Sequence, residues 1–174
     1  KIEFSREELE DKDWNQVWES EFEPITIGDE LFIGAQHHRH EQTYTFRITL
    51  QPRMAFGTGH HPTTFLMAQK MLDLDFGSKR VLDFGAGTGV LAILAHMKGA
   101  EKVRAIDNDP NCTDNMAVNF ELNRVTGITP ELGDVSLIDG DVFDVILANI
   151  TRNIITERLP VFATSLAPKG LLLC

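Results

Sequence analysis

The stretch Lys79-Arg80-Val81-Leu82-Asp83-Phe84-Gly85-Ala86-Gly87-Thr88-Gly89-Val90-Leu91-Ala92-Ile93-Leu94-Ala95 decides the architecture. Residues 79–84 form a β run, and residues 89–98 read as a helix rich in Ala, Leu and Ile. Between them lie three glycines spaced one residue apart. A glycine-rich turn carries meaning when it closes a strand and opens a helix. Glycine tolerates positive φ and lets a ligand approach the main chain. The helix start adds unpaired N–H donors and partial positive charge.

Outward from this turn the same texture repeats. Pro62 can open a helix, continued by Phe65, Leu66, Ala68, Gln69 and Leu72. Val103–Asp107 is the next β run, and Pro110 starts a helix with apolar Ala117, Val118, Phe120 and Leu122. A weak strand covers 128–132, and a strong one covers 142–148, ending at Asn149. A helix over 153–167, kinked at Pro160, leads to a last strand from Leu171. Alternating strands and helices predict an α/β fold with a parallel sheet covered on both faces. Ligands of such sheets bind outside the carboxyl ends of the strands. The informative positions are therefore Asp83–Gly89, Asp107, Gly133-Asp134 and Asn149.

Residues 1–52 have a different pattern. Ser5-Arg6-Glu7-Glu8 resembles a capping box, and Trp14, Val17, Trp18 and Phe22 fall at helical spacing, which predicts packing anchors on a charged helix. Ile25 and Ile27, the turn Gly28-Asp29 and Leu31-Phe32-Ile33 read as a hairpin, and residues 43–50 as a further strand. The histidines of Ala35–Gln42 read as a polar loop rather than a metal site, because no partner ligand follows at helical spacing. The expected organisation is a linker helix over 1–22, a small β segment over 23–52 and a catalytic domain over 53–174.

Composition narrows the function classes. The 174 residues carry 16 Lys+Arg against 26 Asp+Glu, a net charge of −10, which disfavours a nucleic-acid clamp. No apolar run is long enough to span a bilayer. Cys112 and Cys174 form no zinc or redox spacing, and the expected compartment is the cytoplasm. The start at Lys1 and the apolar ending Gly170–Cys174 lead us to expect a piece of a longer chain.

Spacing and charge select the ligand. A dinucleotide turn reads G-x-G-x-x-G, but here the third glycine, Gly89, comes one place early and Val90 holds the last position. Asp83 precedes the turn, where its charge would repel a pyrophosphate. It would attract the ammonium of S-adenosylmethionine, directly or through water. Asp107 ends the next strand, 22 residues after Gly85, where an acidic residue accepts ribose hydroxyls. Asp109, immediately before Pro110, fits a helix N-cap better and leaves Asp107 for the ribose. Asp134 reads either as a contact to the adenine edge or as a turn residue.

Arg53-Met54-Ala55-Phe56-Gly57-Thr58-Gly59-His60-His61-Pro62-Thr63-Thr64 resembles the A-F-G-T-G-x-H-P-T-T block of bacterial methyltransferases that modify protein eleven of the large ribosomal subunit. The Asp83–Gly89 turn, Ile106–Pro110 and Leu147–Ile150 resemble the later blocks of that family, in order. Glu10–Trp14 and Trp18 resemble its inter-domain helix. The resemblance implies a Rossmann-like class I S-adenosylmethionine-dependent sheet, an absent N-terminal recognition domain and a catalytic sheet lacking its last two strands. It implies methylation of lysine side chains and the N-terminal amine of a ribosomal protein, with no direct nucleic-acid or membrane partner. Cofactor contacts carried over by motif are Thr64, Gly85, Gly87, Asp107 and Asn149, and Phe56 with Gly57–Gly59 would form a flap over the cofactor. His60 in the flap and Thr151-Arg152 after Ile150 depart from the usual pattern, near the expected substrate entrance.

Methyl transfer from a sulfonium to an amine needs mainly alignment and desolvation. The amine must be neutral, although a free lysine titrates near 10.4. Asn149 is the candidate catalytic residue, orienting the amine or the cofactor's amino end. His61 is read as positioning the flap, with a general-base role for His60 or His61 as the alternative. A methyltransferase acting on a small molecule or nucleic acid, a non-catalytic cofactor-binding module and a NAD-linked oxidoreductase are the competing readings.

Overall fold

A computed structural model describes residues 22–38, 42–51 and 61–174. The expected helix bearing Trp14 and Trp18, His40, and the flap residues Phe56 to His60 lie outside the described residues. The elements in chain order are β1 (Ile25–Ile27), β2 (Leu31–Ala35), β3 (Phe46–Leu50), α1 (Pro62–Leu72), β4 (Arg80–Phe84), α2 (Val90–Met97), β5 (Lys102–Asp107) and α3 (Pro110–Leu122). They continue with β6 (Pro130–Leu132), a 3-10 turn (Val135–Ile138), β7 (Phe143–Leu147), α4 (Arg152–Ser165) and β8 (Leu166–Leu173).

Five strands form one sheet in the order β6-β5-β4-β7-β8, every neighbouring pair parallel. The strand side chains alternate between the two faces, and the core divides accordingly. Val81, Val103, Ala105, Val145 and Leu147 pack with Met67 and Met71 of α1, the whole apolar run of α2, and Met116 and Phe120 of α3. The alternate residues Leu82, Phe84, Ile106, Ile146 and Ala148 pack on the opposite face with Ile138 and with Phe162 of α4. Each fully buried aliphatic or aromatic side chain contributes about 1.5–3 kcal/mol. Strands covered on both faces bury side chains in both directions, which is why they read as nearly unbroken apolar runs.

Among the described residues the expected strands and helices are present, with shifted ends. α4 runs through Pro160 and stops at Ser165. β8 begins at Leu166, five residues earlier than expected, and its pairing with β7 is interrupted between Leu166 and Leu171. The edge strand β6 is pinned by Arg104, whose guanidinium grips both Glu131 and Asp141 and donates to the Leu137 carbonyl at 2.9 Å. The hydrogen bond to Glu131 is the main cause of a raised Arg104 pKa.

The remaining strands form a separate sheet, β1-β2-β3. β1 and β2 are the expected hairpin. β3 then pairs parallel to β2, a topology that period-two patterning does not reveal. This sheet shares the core with α1–α3 through Ile27, Leu31, Ile33, Ile48 and Leu50. It is also stitched to α3 by asparagines at four-residue steps. Asn123 Oδ1 accepts from Thr49 N at 2.8 Å, and Asn123 Nδ2 donates to the Thr49 carbonyl. Asn119 Oδ1 accepts from Gln51 N at 2.8 Å, and Asn115 Nδ2 donates to the Gln51 carbonyl at 3.2 Å. The helix thus offers β3 the donor-acceptor pattern of a neighbouring strand.

Candidate functional site

The carboxyl ends of β4, β5 and β7 open onto a cleft of ≈ 550 Å³, within the size range of small-molecule sites. Gly85, Gly87, Asp107 and Asn149 all line it, together with His61, Thr63, Asn108, Asp109, Cys112, Ile150, Thr151 and Ile154. Four of the sequence-derived positions therefore converge. Among the described lining residues there are two carboxylates and no Lys or Arg, a wall suited to a cationic ligand rather than a pyrophosphate.

The turn after β4 is built from left-handed glycines. Gly85, Gly87 and Gly89 have φ of 70°, 56° and 76°, a region that costs other residues about 1–2 kcal/mol. Gly85 and Ala86 both donate to the Ile106 carbonyl, at 2.9 and 3.0 Å, which docks the turn on β5. A Cβ on Gly85 would stand 2.2 Å from Ile150 Cγ2, so the turn and the segment after β7 approach as closely as backbone permits. Gly89 caps α2, and a Cβ there would meet Met116 at 2.6 Å and Phe120 at 2.8 Å. The third glycine thus seats the turn against α3, one position earlier than a dinucleotide turn requires.

Asp107 ends β5 with its side chain only 8% exposed. Oδ2 accepts from Gly87 N at 2.8 Å and Oδ1 from Asp109 N at 3.0 Å. Each carboxylate oxygen can accept more than one hydrogen bond, so both retain acceptor capacity toward the cleft. Asp109 is the N-cap of α3, accepting from Asn111 N at 2.9 Å. That division of labour between Asp107 and Asp109 is the expected one. Asp134 instead caps the 3-10 turn by accepting from Ser136 N, which holds its carboxyl below the ordinary range. It does not line the cleft among the described residues.

Asn149 sits just past β7. Its Nδ2 donates to Thr64 Oγ1 at 2.7 Å, leaving Oδ1 as the free acceptor of the amide. Thr64 is fully buried and does not line the large cleft. It lines a separate hole of ≈ 10 Å³ with Asp83, Gly85 and Asn149, about the space of one water. Asp83 does not line the cleft, so of the two expected routes to a ligand there, direct contact is closed and only the one through water stays open. It is 1% exposed, and its Oδ2 accepts from Ala92 N at 2.9 Å, inside the start of α2. Burial pushes its pKa up to about 7 despite that hydrogen bond, with the charge of Asp107 adding to the rise.

His61 is the N-cap of α1, its Nδ1 accepting from Thr63 N at 3.3 Å. This bond ties His61 to its own helix; the flap that it is expected to position lies outside the described residues. Sequence reasoning missed Cys112, Ile150 and Ile154 as wall residues. Burial, then Asp107 and Asp109, raise the Cys112 thiol to about 11. Ile150 and Ile154 are apolar and lie at helical spacing after Asn149, but nothing in the pattern says that they face ligand rather than core.

Comparison with known proteins identifies the family. The sequence profile of the ribosomal protein L11 methyltransferase family, PrmA, matches residues 1–174. A ribosomal protein L11 methyltransferase of Phocaeicola vulgatus is 46% identical over 170 residues, covering 97% of this chain and 60% of the relative. One from Porphyromonas gingivalis is 43% identical, covering 98% of this chain and 59% of the relative. The chain therefore spans about 60% of the length of these relatives. A crystal structure of a ribosomal protein L11 methylase from Lactobacillus delbrueckii subsp. bulgaricus superposes with a TM-score of 0.77 at 27% identity, covering 87% of this chain and 78% of that one. With the glycine turn, the acidic strand end and the profile match in agreement along its length, this chain belongs to the ribosomal protein L11 methyltransferase family.

Proposed function

We propose that the chain binds S-adenosylmethionine in the cleft between Asp107 and Asn149, and that the protein transfers its methyl group to amines of ribosomal protein L11. The observation that carries this reading is the cleft wall. Asp107 stands rigidly beside a turn of left-handed glycines, Asn149 faces the same space, and no cationic side chain of Lys or Arg lines it among the described residues.

The residues fit such a cofactor. Asp107 would accept from the ribose hydroxyls with its remaining lone pairs. The Gly85–Gly87 main chain would lie under the amino-acid arm, with Asn149 at its amino end and Thr64 behind, holding the Asn149 amide. Asp83 reaches that end only across the ≈ 10 Å³ hole. When bound, the cofactor supplies a methyl group already activated on a sulfonium, so the chain's own task is to orient and desolvate. The apolar flank of Ile150 and Ile154 lowers the pKa of an entering amine by desolvation. Asn149 Oδ1 would accept an N–H of the neutral amine and fix the direction of its lone pair. A dedicated base is then unnecessary once the amine has lost its proton to solvent.

Calorimetry on the chain with S-adenosylmethionine, S-adenosylhomocysteine and NAD tests the reading. The two sulfur compounds should bind and NAD should not; NAD binding without a response to the sulfur compounds would overturn it. Asp107→Ala should weaken S-adenosylhomocysteine by about 2–4 kcal/mol, the loss of charge-assisted hydrogen bonds. Unchanged affinity would remove Asp107 from the ribose.

A further inference from the structure

We propose that Asn119, which does not line that cleft, is a positioning residue of the cofactor site, holding Asp107 through a continuous hydrogen-bond chain of two peptide units. The inference rests on the reading of the cleft given above. Asn119 is fully buried on α3, in the polar row Asn115, Asn119, Asn123. Its Nδ2 donates to the Thr88 carbonyl at 2.9 Å. The same Thr88–Gly89 peptide donates from Gly89 N to the Ala86 carbonyl at 2.8 Å. The Ala86–Gly87 peptide in turn donates from Gly87 N to Asp107 Oδ2 at 2.8 Å. Every link runs donor to acceptor in the same sense, so the amide dipoles align with their positive ends toward the carboxylate.

The left-handed glycines explain why the chain needs an outside anchor. The Ile106 carbonyl holds the start of the turn through Gly85 N and Ala86 N, but glycine at 87 and 89 leaves the rest of the turn freer to rotate than other residues would. Asn119 removes that freedom by fixing the Thr88 carbonyl. Asn119 is itself fixed, because its Oδ1 accepts from Gln51 N at 2.8 Å and its Nδ2 also contacts Asn115 Oδ1 at 3.3 Å. The end of β3 and the cofactor turn are therefore held by one amide. Asn123 belongs to the same row but ties only Thr49 and its own helix, away from the turn.

That difference supplies the test. Asn119→Asp keeps the acceptor for Gln51 N and deletes the donor to Thr88. Asn123→Asp deletes a donor of the same row without touching the turn. Binding of S-adenosylhomocysteine to the chain is measured for each by calorimetry, with thermal unfolding alongside. Asn119→Asp should weaken binding by about tenfold or more, the loss of one well-placed hydrogen bond to an ordered turn, while Asn123→Asp stays within about twofold. In the ligand-free chain the Gly87 amide proton should move upfield in Asn119→Asp and hold in Asn123→Asp. Equal losses in both variants, or an unmoved Gly87 resonance, would overturn the proposal. Should Asn119→Asp not fold, Asn119→Ser is read in its place. Failure of both to fold while Asn123→Asp folds would assign Asn119 to the framework alone and equally overturn it. A wild-type chain that ignores S-adenosylhomocysteine would instead sink the cofactor reading, and the Gly87 resonance would still judge the hydrogen-bond chain.

Discussion

At the scale of single residues, two acidic side chains that look alike in sequence do opposite things. Asp107 keeps a foothold at the cleft and is held from behind by one main-chain donor on each oxygen. Asp83, one strand away, is sealed beneath the turn with a single backbone donor. Its folded-state pKa, about 7, lies above the unfolded value near 3.9. The stability contributed by the neutral carboxyl is therefore fully present below about pH 4 and is lost as pH rises through about 7. Asp83→Asn keeps an acceptor for Ala92 N and cannot ionise. Between pH 5 and pH 8 the wild type should lose about 2 kcal/mol relative to this variant in urea unfolding. Parallel pH profiles would show that Asp83 does not hold its proton.

At the scale of elements, the site depends on two segments meeting without side-chain clearance. The turn after β4 and the segment after β7 touch at Gly85 and Ile150. Gly85→Ala should cost about 3 kcal/mol or more, combining the left-handed backbone penalty with overpacking. Gly85→Ala combined with Ile150→Ala should recover the steric part and leave only the backbone part. The expected signature is a coupling of about 1–2 kcal/mol in a double-mutant cycle of unfolding free energies. Additive losses would mean that the two segments relax independently. The strong strands and the helix starts at Pro62 and Pro110 are legible in sequence, because β runs and cap chemistry act over a few residues. The parallel pairing of β2 with β3 is not, because the connection between them encodes neither its length in space nor its partner.

At the scale of the whole molecule, four of the six residues expected to hold cofactor share one cleft. Thr64 stands behind it, and Phe56 lies outside the described residues. The chain spans about 60% of the length of its relatives. We expect it to bind S-adenosylhomocysteine by itself, yet to methylate ribosomal protein L11 about tenfold or more slowly than the full-length Phocaeicola vulgatus relative, because we propose that the part of the relative not matched here adds substrate contacts and so raises the effective concentration of substrate. Equal rates in a methyl-transfer assay would place all substrate recognition within these 174 residues. The sequence by itself determined the parallel sheet, the ligand turn and the acidic strand end, since hydrophobic period, glycine spacing and strand-helix order are all local signals. Only the tertiary structure decided that Asp83 is buried behind the turn rather than in the cleft, that Thr64 holds the Asn149 amide, and that Asn119 bonds the turn. Each of these depends on which polar groups, far apart in the chain, must satisfy one another once water is excluded.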